Sequence, residues 1–231
     1  MTMRAGAWFV ALCAVGSLSA CSQFAPHARN ESTDPDQRLA QLVERLEAAR
    51  AQGPRNDAIA DEQTAFLDAG LVRSDIARFT LEYPRHIEGL WLNARLAYEA
   101  GEPENAVSYL DRVLTQDVDH AEAAVLRGRI ALEQGNAQFA RKLLERHVDR
   151  SPDHAELREA YAAALFYVGD PDGARRELDT AERLGAPAWR VLYHRGLIAE
   201  KSGEIDLAKQ LYAASVAAAA DSPAAQRLRA L

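Results

Sequence analysis

The side chains of this 231-residue chain that could do chemistry are few, and their spacing argues against most of the chemistry they suggest. His86, His120 and His154 stand 34 residues apart, and a row of imidazoles is one way to build a metal site. In a stacked helical array, however, equal spacing places successive residues about 10 Å apart, one layer each, whereas the ligands of one zinc ion converge within roughly 4 Å of one another. The row reads instead as a structural position, the polar residue in the turn before a helix. His147 and His194 are isolated, and neither His-Glu-x-x-His nor Cys-x-x-Cys occurs. Gly169-Asp170-Pro171-Asp172-Gly173 has the glycines of a turn but lacks the Lys-Ser/Thr that would complete a phosphate loop. There is no Gly-x-Ser-x-Gly, and carboxylates such as Asp117 and Asp119 are scattered over helix faces and loop ends. The inventory predicts no enzyme, no cofactor, no metal and no small-molecule substrate.

The elements that must position the remaining residues repeat. Gly101, Gly135, Gly169 and Gly203 are 34 residues apart, and so are Ala106, Ala140, Ala174 and Ala208. A bulky column follows each glycine at Leu110, Leu144, Leu178 and Tyr212, and a small column precedes it at Ala94, Gly128, Ala162 and Gly196. Within a unit, Leu90, Ala94, Ala97 and Tyr98 recur at three and four and share a helical face. The glycine then ends the helix in the left-handed region, and turn residues with Pro103 or Pro171 open a second helix carrying Ala106, Leu110, Val113 and Leu114. Small residues facing each other let two helices approach closely. Such a hairpin cannot bury its apolar face alone and must stack on its neighbours. No run reads as strand.

This pattern resembles the tetratricopeptide repeat (TPR). The resemblance covers about residues 85–220 and rests on the period, the small residue eight places into each unit, the second-helix alanine and the closing Ser151-Pro152. The aromatic that the family favours early in the first helix is Leu90, Ala124, Arg158 and Leu192 here, and the closing proline is replaced by Val118 and Ala186, with Pro187 one place late. The resemblance implies an all-α, right-handed solenoid of stacked antiparallel helix pairs in which the first helices line a concave groove. By the same resemblance the lining comprises Trp91, Arg95 and Tyr98; Val125, Arg129 and Leu132; Glu159, Phe166 and Tyr167; and Arg190, Tyr193 and Leu197. Tryptophan, tyrosine and arginine dominate binding hot spots, and Arg95 and Arg129, one repeat apart, are placed to bracket an acidic or carbonyl-bearing peptide. The lysine and asparagine clamp of chaperone-type TPRs is missing, its places being held by Trp91, Arg95, Leu126, Glu156 and Ala160.

Ahead of the repeats, residues 1–20 read as an export signal: Arg4 precedes an apolar run from Ala5 to Leu18 that is too short for a stable span. Leu18-Ser19-Ala20-Cys21 resembles the bacterial lipobox, which implies cleavage before Cys21, acylation of that cysteine, palmitate included, and anchorage in a lipid bilayer. Cys13 would leave with the signal, so Cys21 would be the exported chain's single thiol, with no disulfide partner. Several acyl chains at about 0.8 kcal/mol per buried methylene make such an anchor lasting. Ser22 in place of aspartate points, by the sorting rule of such lipoproteins, to the outer membrane with the folded part facing the periplasm.

Residues 21–35 are polar, carry Pro26 and Pro35, and read as a flexible tether with a reach on the order of 20 Å. Residues 36–84 are expected to cap the stack with three helices, Asp36 to Arg50, Asp57 to Ala69 and Leu71 to Glu82. Either the first two form a degenerate hairpin or the middle one pairs with the third. Residues 221–231 read as a closing helix capped by Asp221-Ser222-Pro223. With 27 Lys plus Arg against 34 Asp plus Glu and no basic stripe, nucleic acid is not an expected partner. The expectation is a periplasm-facing TPR lipoprotein that docks a protein partner, an extended or helical segment, in its groove. It resembles both the lipoproteins that assemble pili or secretion systems and those that gather cell-wall hydrolases and proteases, and nothing in the residues chooses between them.

Overall fold

The structure, a computed structural model, describes residues 34–51 and 59–231. The expected signal, Cys21, most of the tether and the expected helix start at Asp57 lie outside the described residues. Every regular element described is a helix. Two helices, α1 (Pro35–Ala51) and α2 (Ile59–Glu82), precede four hairpins: α3 (Ile87–Glu99) with α4 (Pro103–Gln116), α5 (Ala121–Glu133) with α6 (Ala137–Arg150), α7 (Ala155–Val168) with α8 (Pro171–Arg183), and α9 (Ala188–Lys201) with α10 (Ile205–Ala218). A short α11 (Ala224–Ala230) follows. No described helix is long and apolar enough to cross a membrane.

The three equally spaced histidines are helix caps. The Nδ1 of His86 accepts from the Gly89 amide at 3.2 Å, that of His120 from Ala123 at 3.3 Å and that of His154 from Leu157 at 3.2 Å. Each satisfies a first-turn amide that has no partner inside its helix. Only α9 among the first helices opens without a side-chain cap, at Pro187.

Each hairpin turn is closed by its glycine, with φ of 74° at Gly101, 75° at Gly135, 89° at Gly169 and 80° at Gly203. The following amide reaches back to the helix, as Asp170 N–H does to Leu165 O at 2.9 Å, so the last carbonyls are satisfied as the chain reverses. Inside each hairpin the small and bulky columns meet. A Cβ on Gly128 would stand 2.7 Å from Leu144 Cδ1, and one on Gly196 would stand 2.5 Å from Tyr212 Cε1. The bulkiest residue of its column, Tyr212, thus faces a glycine. The columns are fully buried at Ala94, Ala106, Leu110, Ala140, Leu144, Ala174, Leu178, Ala208 and Tyr212, and the clusters they form run from one hairpin into the next.

The N-terminal region differs from both expected pairings. The segments 59–69 and 71–82 form one continuous helix through Gly70; a glycine in a helix interior costs only about 1 kcal/mol, which neighbouring packing overrides. The partner of its C-terminal half is α1. Leu39, Leu42 and Leu46 pack with Val72, Ile76, Phe79 and, from α3, Leu96. Arg38 pairs with Glu82, and Arg45 with Asp75 at 3.1 Å, so α1 runs antiparallel to α2. Asp36 pairs with His86 at 2.8 Å and Arg50 with Glu99, so α1 runs parallel to α3. In effect α1 takes the place of a first helix and the end of α2 that of a second. The buried Asn93 ties the unit to α3 by donating to Ile76 O at 3.1 Å.

At the other end, Ser222 Oγ accepts from the Ala224 amide at 3.3 Å and lies 2.8 Å from Ser215 Oγ, which donates to Trp189 O at 2.7 Å. This polar chain fixes the turn into α11, whose Ala224 and Leu228 cover Leu197 and Tyr212.

Candidate functional site: a hollow in the inner wall

The first helices α3, α5, α7 and α9 stand side by side and form the inner wall of the stack. The wall is not uniform. Ala160 and Ala163 of α7 lie where α5 carries Leu126 and Arg129 and α9 carries His194 and Leu197, one repeat away on either side. The small pair on the middle helix leaves a hollow of about 360 Å³. Arg129, Leu132 and Glu133 of α5 border it on one side, Trp189, Arg190, Tyr193 and His194 of α9 on the other, with Tyr167 of α7 and Pro223 completing the rim. It runs diagonally, from the C-terminal turn of α5 across α7 to the first turn of α9.

The polar groups of the hollow are paired with one another across helices. Glu159, 5% exposed, places Oε1 2.7 Å from His194 Nε2 and Oε2 3.5 Å from the Arg190 guanidinium. Burial pushes this carboxyl up, but the hydrogen bond to His194 and the charges of His194, Arg190 and Arg129 outweigh it and hold the group below the usual carboxylate range. Arg190 also meets Glu156 at 3.2 Å and lies over the Trp189 ring at 5.3 Å. At the other rim, the Tyr98 hydroxyl donates to Glu133 at 2.6 Å. Burial and then that carboxylate push the phenol up, with Arg129 acting in the opposite sense.

Of the residues expected to line the groove, Arg129, Leu132, Glu159, Tyr167, Arg190 and Tyr193 come together at the hollow, and Tyr98 touches it through Glu133. Trp91 and Arg95 lie further along the wall on α3, the guanidinium 6.0 Å from the indole centroid, and the Trp91 ring also lies 5.4 Å from that of His120. Three residues are placed differently. Val125 is 5% exposed, covered by Leu157 and Ala160 of the next first helix. Leu197 is 6% exposed, covered where α11 closes the stack. Phe166 is packed between the third and fourth repeats, with Lys201 Nζ 4.9 Å from its ring centroid.

His194, isolated in the sequence, also lines the hollow, as do Glu133, Trp189 and the alanine floor, none of which the repeat pattern places there. A signal was present. Glu159 and His194 are 35 residues apart, as are Tyr98 and Glu133, and Glu156 and Arg190 are 34 apart. Complementary polar residues at one repeat's offset face each other across adjacent first helices.

With this geometry in hand, the likeness to known proteins is specific. The tetratricopeptide repeat profile matches residues 92–155 and 159–223, more than half of the chain. A search of curated proteins finds no match. Among solved structures, the thermophilic TPR protein TTC0263 of Thermus thermophilus is similar with a TM-score of 0.61 at 16% identity, over 85% of this chain and 98% of that one. MamA of Desulfovibrio magneticus RS-1 aligns with a TM-score of 0.55 at 14% identity, over 78% and 98%. YrrB, described as a TPR protein with an unusual peptide-binding site, aligns with a TM-score of 0.53 at 12% identity, over 82% and 98%. At these identities the structures speak to fold alone, and they agree with the sequence profile on a right-handed solenoid of stacked helix pairs. The chain belongs to the tetratricopeptide repeat family.

Proposed function

We propose that this chain is a scaffold lipoprotein, exported, acylated at Cys21, held at the periplasmic side of the outer membrane, and docking a protein partner on the inner wall of its repeats within an envelope assembly. The observation that carries the docking half is the hollow spanning α5, α7 and α9, with Arg129, Tyr167, Trp189 and Tyr193 at its rim. Such residues supply most of the energy at protein interfaces. The peptide-binding site for which YrrB is named supports the same use of the fold. The anchoring half rests on Leu18-Ser19-Ala20-Cys21. The mechanism is binding alone: an extended or helical segment of the partner lies along the wall, and the acyl anchor raises its effective concentration at the membrane.

Two experiments test the two halves separately. In cells fed a palmitate analogue, the wild type incorporates label and fractionates with the outer membrane, and Cys21→Ala abolishes both; an unlabelled wild type refutes the anchor. A photo-crosslinking amino acid in place of Tyr167, which is 55% exposed, yields a discrete adduct that Tyr193→Ala eliminates. Adducts formed only from a probe at the exposed Lys142 of α6 would move the docking surface off the inner wall. The protein found in the adduct, a pilus or secretion component or a wall hydrolase or protease, decides between the two narrower roles.

A further inference from the structure

The chemistry of the hollow limits what part of a partner enters it, a step that rests on the docking reading above. Its one buried charged group, Glu159, is already paired within the protein. Glu159 holds His194 and Arg190, and at the exposed rim Glu133 accepts from the Tyr98 hydroxyl. A ligand charge entering over the floor would compete with the pairs of Glu159, which is 5% exposed, and displacing one of them would leave a buried charge uncompensated, which is unfavourable. Most of what remains open is apolar: the Ala160 and Ala163 floor, Leu132, and the faces of Tyr167, Trp189 and Tyr193. The volume of about 360 Å³ is at the low end of the roughly 300–1,000 Å³ of ligand clefts. It fits one large side chain and its adjoining backbone, and is too small for the face of a whole helix.

We propose that the hollow over Ala160 and Ala163 receives a single uncharged aromatic or long aliphatic side chain of the partner's docked segment. The side chain stacks on Tyr193 and Tyr167 and covers the alanine floor. The pairs that Glu159 makes with His194 and Arg190 orient the wall and disfavour a charged residue at this position. Specificity then comes from both an apolar seat and a penalty on charge.

The test uses the full chain with ¹³C-methyl alanine and capped single amino acids as probes. N-acetyl-phenylalaninamide and N-acetyl-leucinamide should shift the Ala160 and Ala163 methyl resonances saturably, and N-acetyl-lysinamide and the N-acetylated α-amide of glutamate should bind about tenfold more weakly. Ala163→Leu fills the seat and should abolish the Ala160 shift. Tyr167→Ala, at an exposed position, should weaken the phenylalanine probe about threefold or more without altering the melting temperature. A charged probe that binds as well as the phenylalanine one, or no saturable shift of either methyl with any probe, overturns the proposal. If the neutral probes fail while the Tyr167 crosslink still forms, the inner wall docks a partner and only the apolar seat is wrong; if the crosslink is also missing, both readings fall.

Discussion

Glu159 Oε1 lies 2.7 Å from His194 Nε2, and this contact joins the third repeat to the fourth through the floor of the inner wall. Its carboxyl is held below the usual range in the folded chain. Such a group contributes stability that is present above its unfolded pKa of about 4.3 and is lost as pH falls through the folded value. Glu159→Gln should lower stability by about 1–3 kcal/mol near pH 7. In thermal melts across a pH series, the difference from wild type should shrink below about pH 4.3.

His147 shows the same sign of pH dependence in a higher window. It is 5% exposed on α6, and burial, then the charges of Arg150 and Arg146, lower its pKa. The unfolded imidazole takes up a proton near pH 6.5, while the folded one resists it, so stability declines as pH falls below about 6.5 toward the folded value. His147→Leu should flatten that part of the profile, measured as urea midpoints between about pH 5 and 7.5.

The imidazole caps are replaceable by a better-known capping side chain. His120→Ala removes the acceptor for the Ala123 amide and should cost about 1 kcal/mol, whereas His120→Asn should restore most of it. Urea unfolding at neutral pH distinguishes the two. A loss of equal size in both variants would mean that the ring matters for its contact with Trp91 rather than for capping.

Gly196 and Tyr212 form a matched pair whose chemistry differs from the Ala–Leu pairing of the first and third repeats. Gly196→Ala pushes a methyl into the Tyr212 ring and should cost about 1–3 kcal/mol by overpacking. Tyr212→Leu in the same chain should recover part of the loss. Recovery will be incomplete, because the Tyr212 hydroxyl donates to Glu200 at 2.6 Å. A double-mutant cycle on thermal stability reads the coupling.

The periodic part of the fold was legible because it is local: glycine, alanine and leucine columns at one spacing specify a hairpin, and a hairpin with one apolar face must stack. Depth on the inner wall was not legible in the same way. Val125, Glu159 and Tyr193 occupy the same place in successive repeats, yet the valine is buried and the tyrosine borders a hollow, because what covers each is set by the next first helix. The floor at Ala160 and Ala163 is visible only by comparison with both neighbours. Leu197 lost its exposure to α11, and α1 pairs with the end of α2 through an apolar cluster and through contacts 30 and 44 residues apart in sequence, which no periodicity announces.

Since Nδ1 of His86, His120 and His154 accepts a backbone proton, the ring hydrogen of each neutral imidazole must reside on Nε2, where His86 offers it to Asp36. Three rings frozen in one tautomer give nitrogen NMR resonances that stand apart from the averaged signal of a freely exchanging imidazole. They supply a native beacon for each of the first three units, from which local melting can be followed repeat by repeat without any label foreign to the chain.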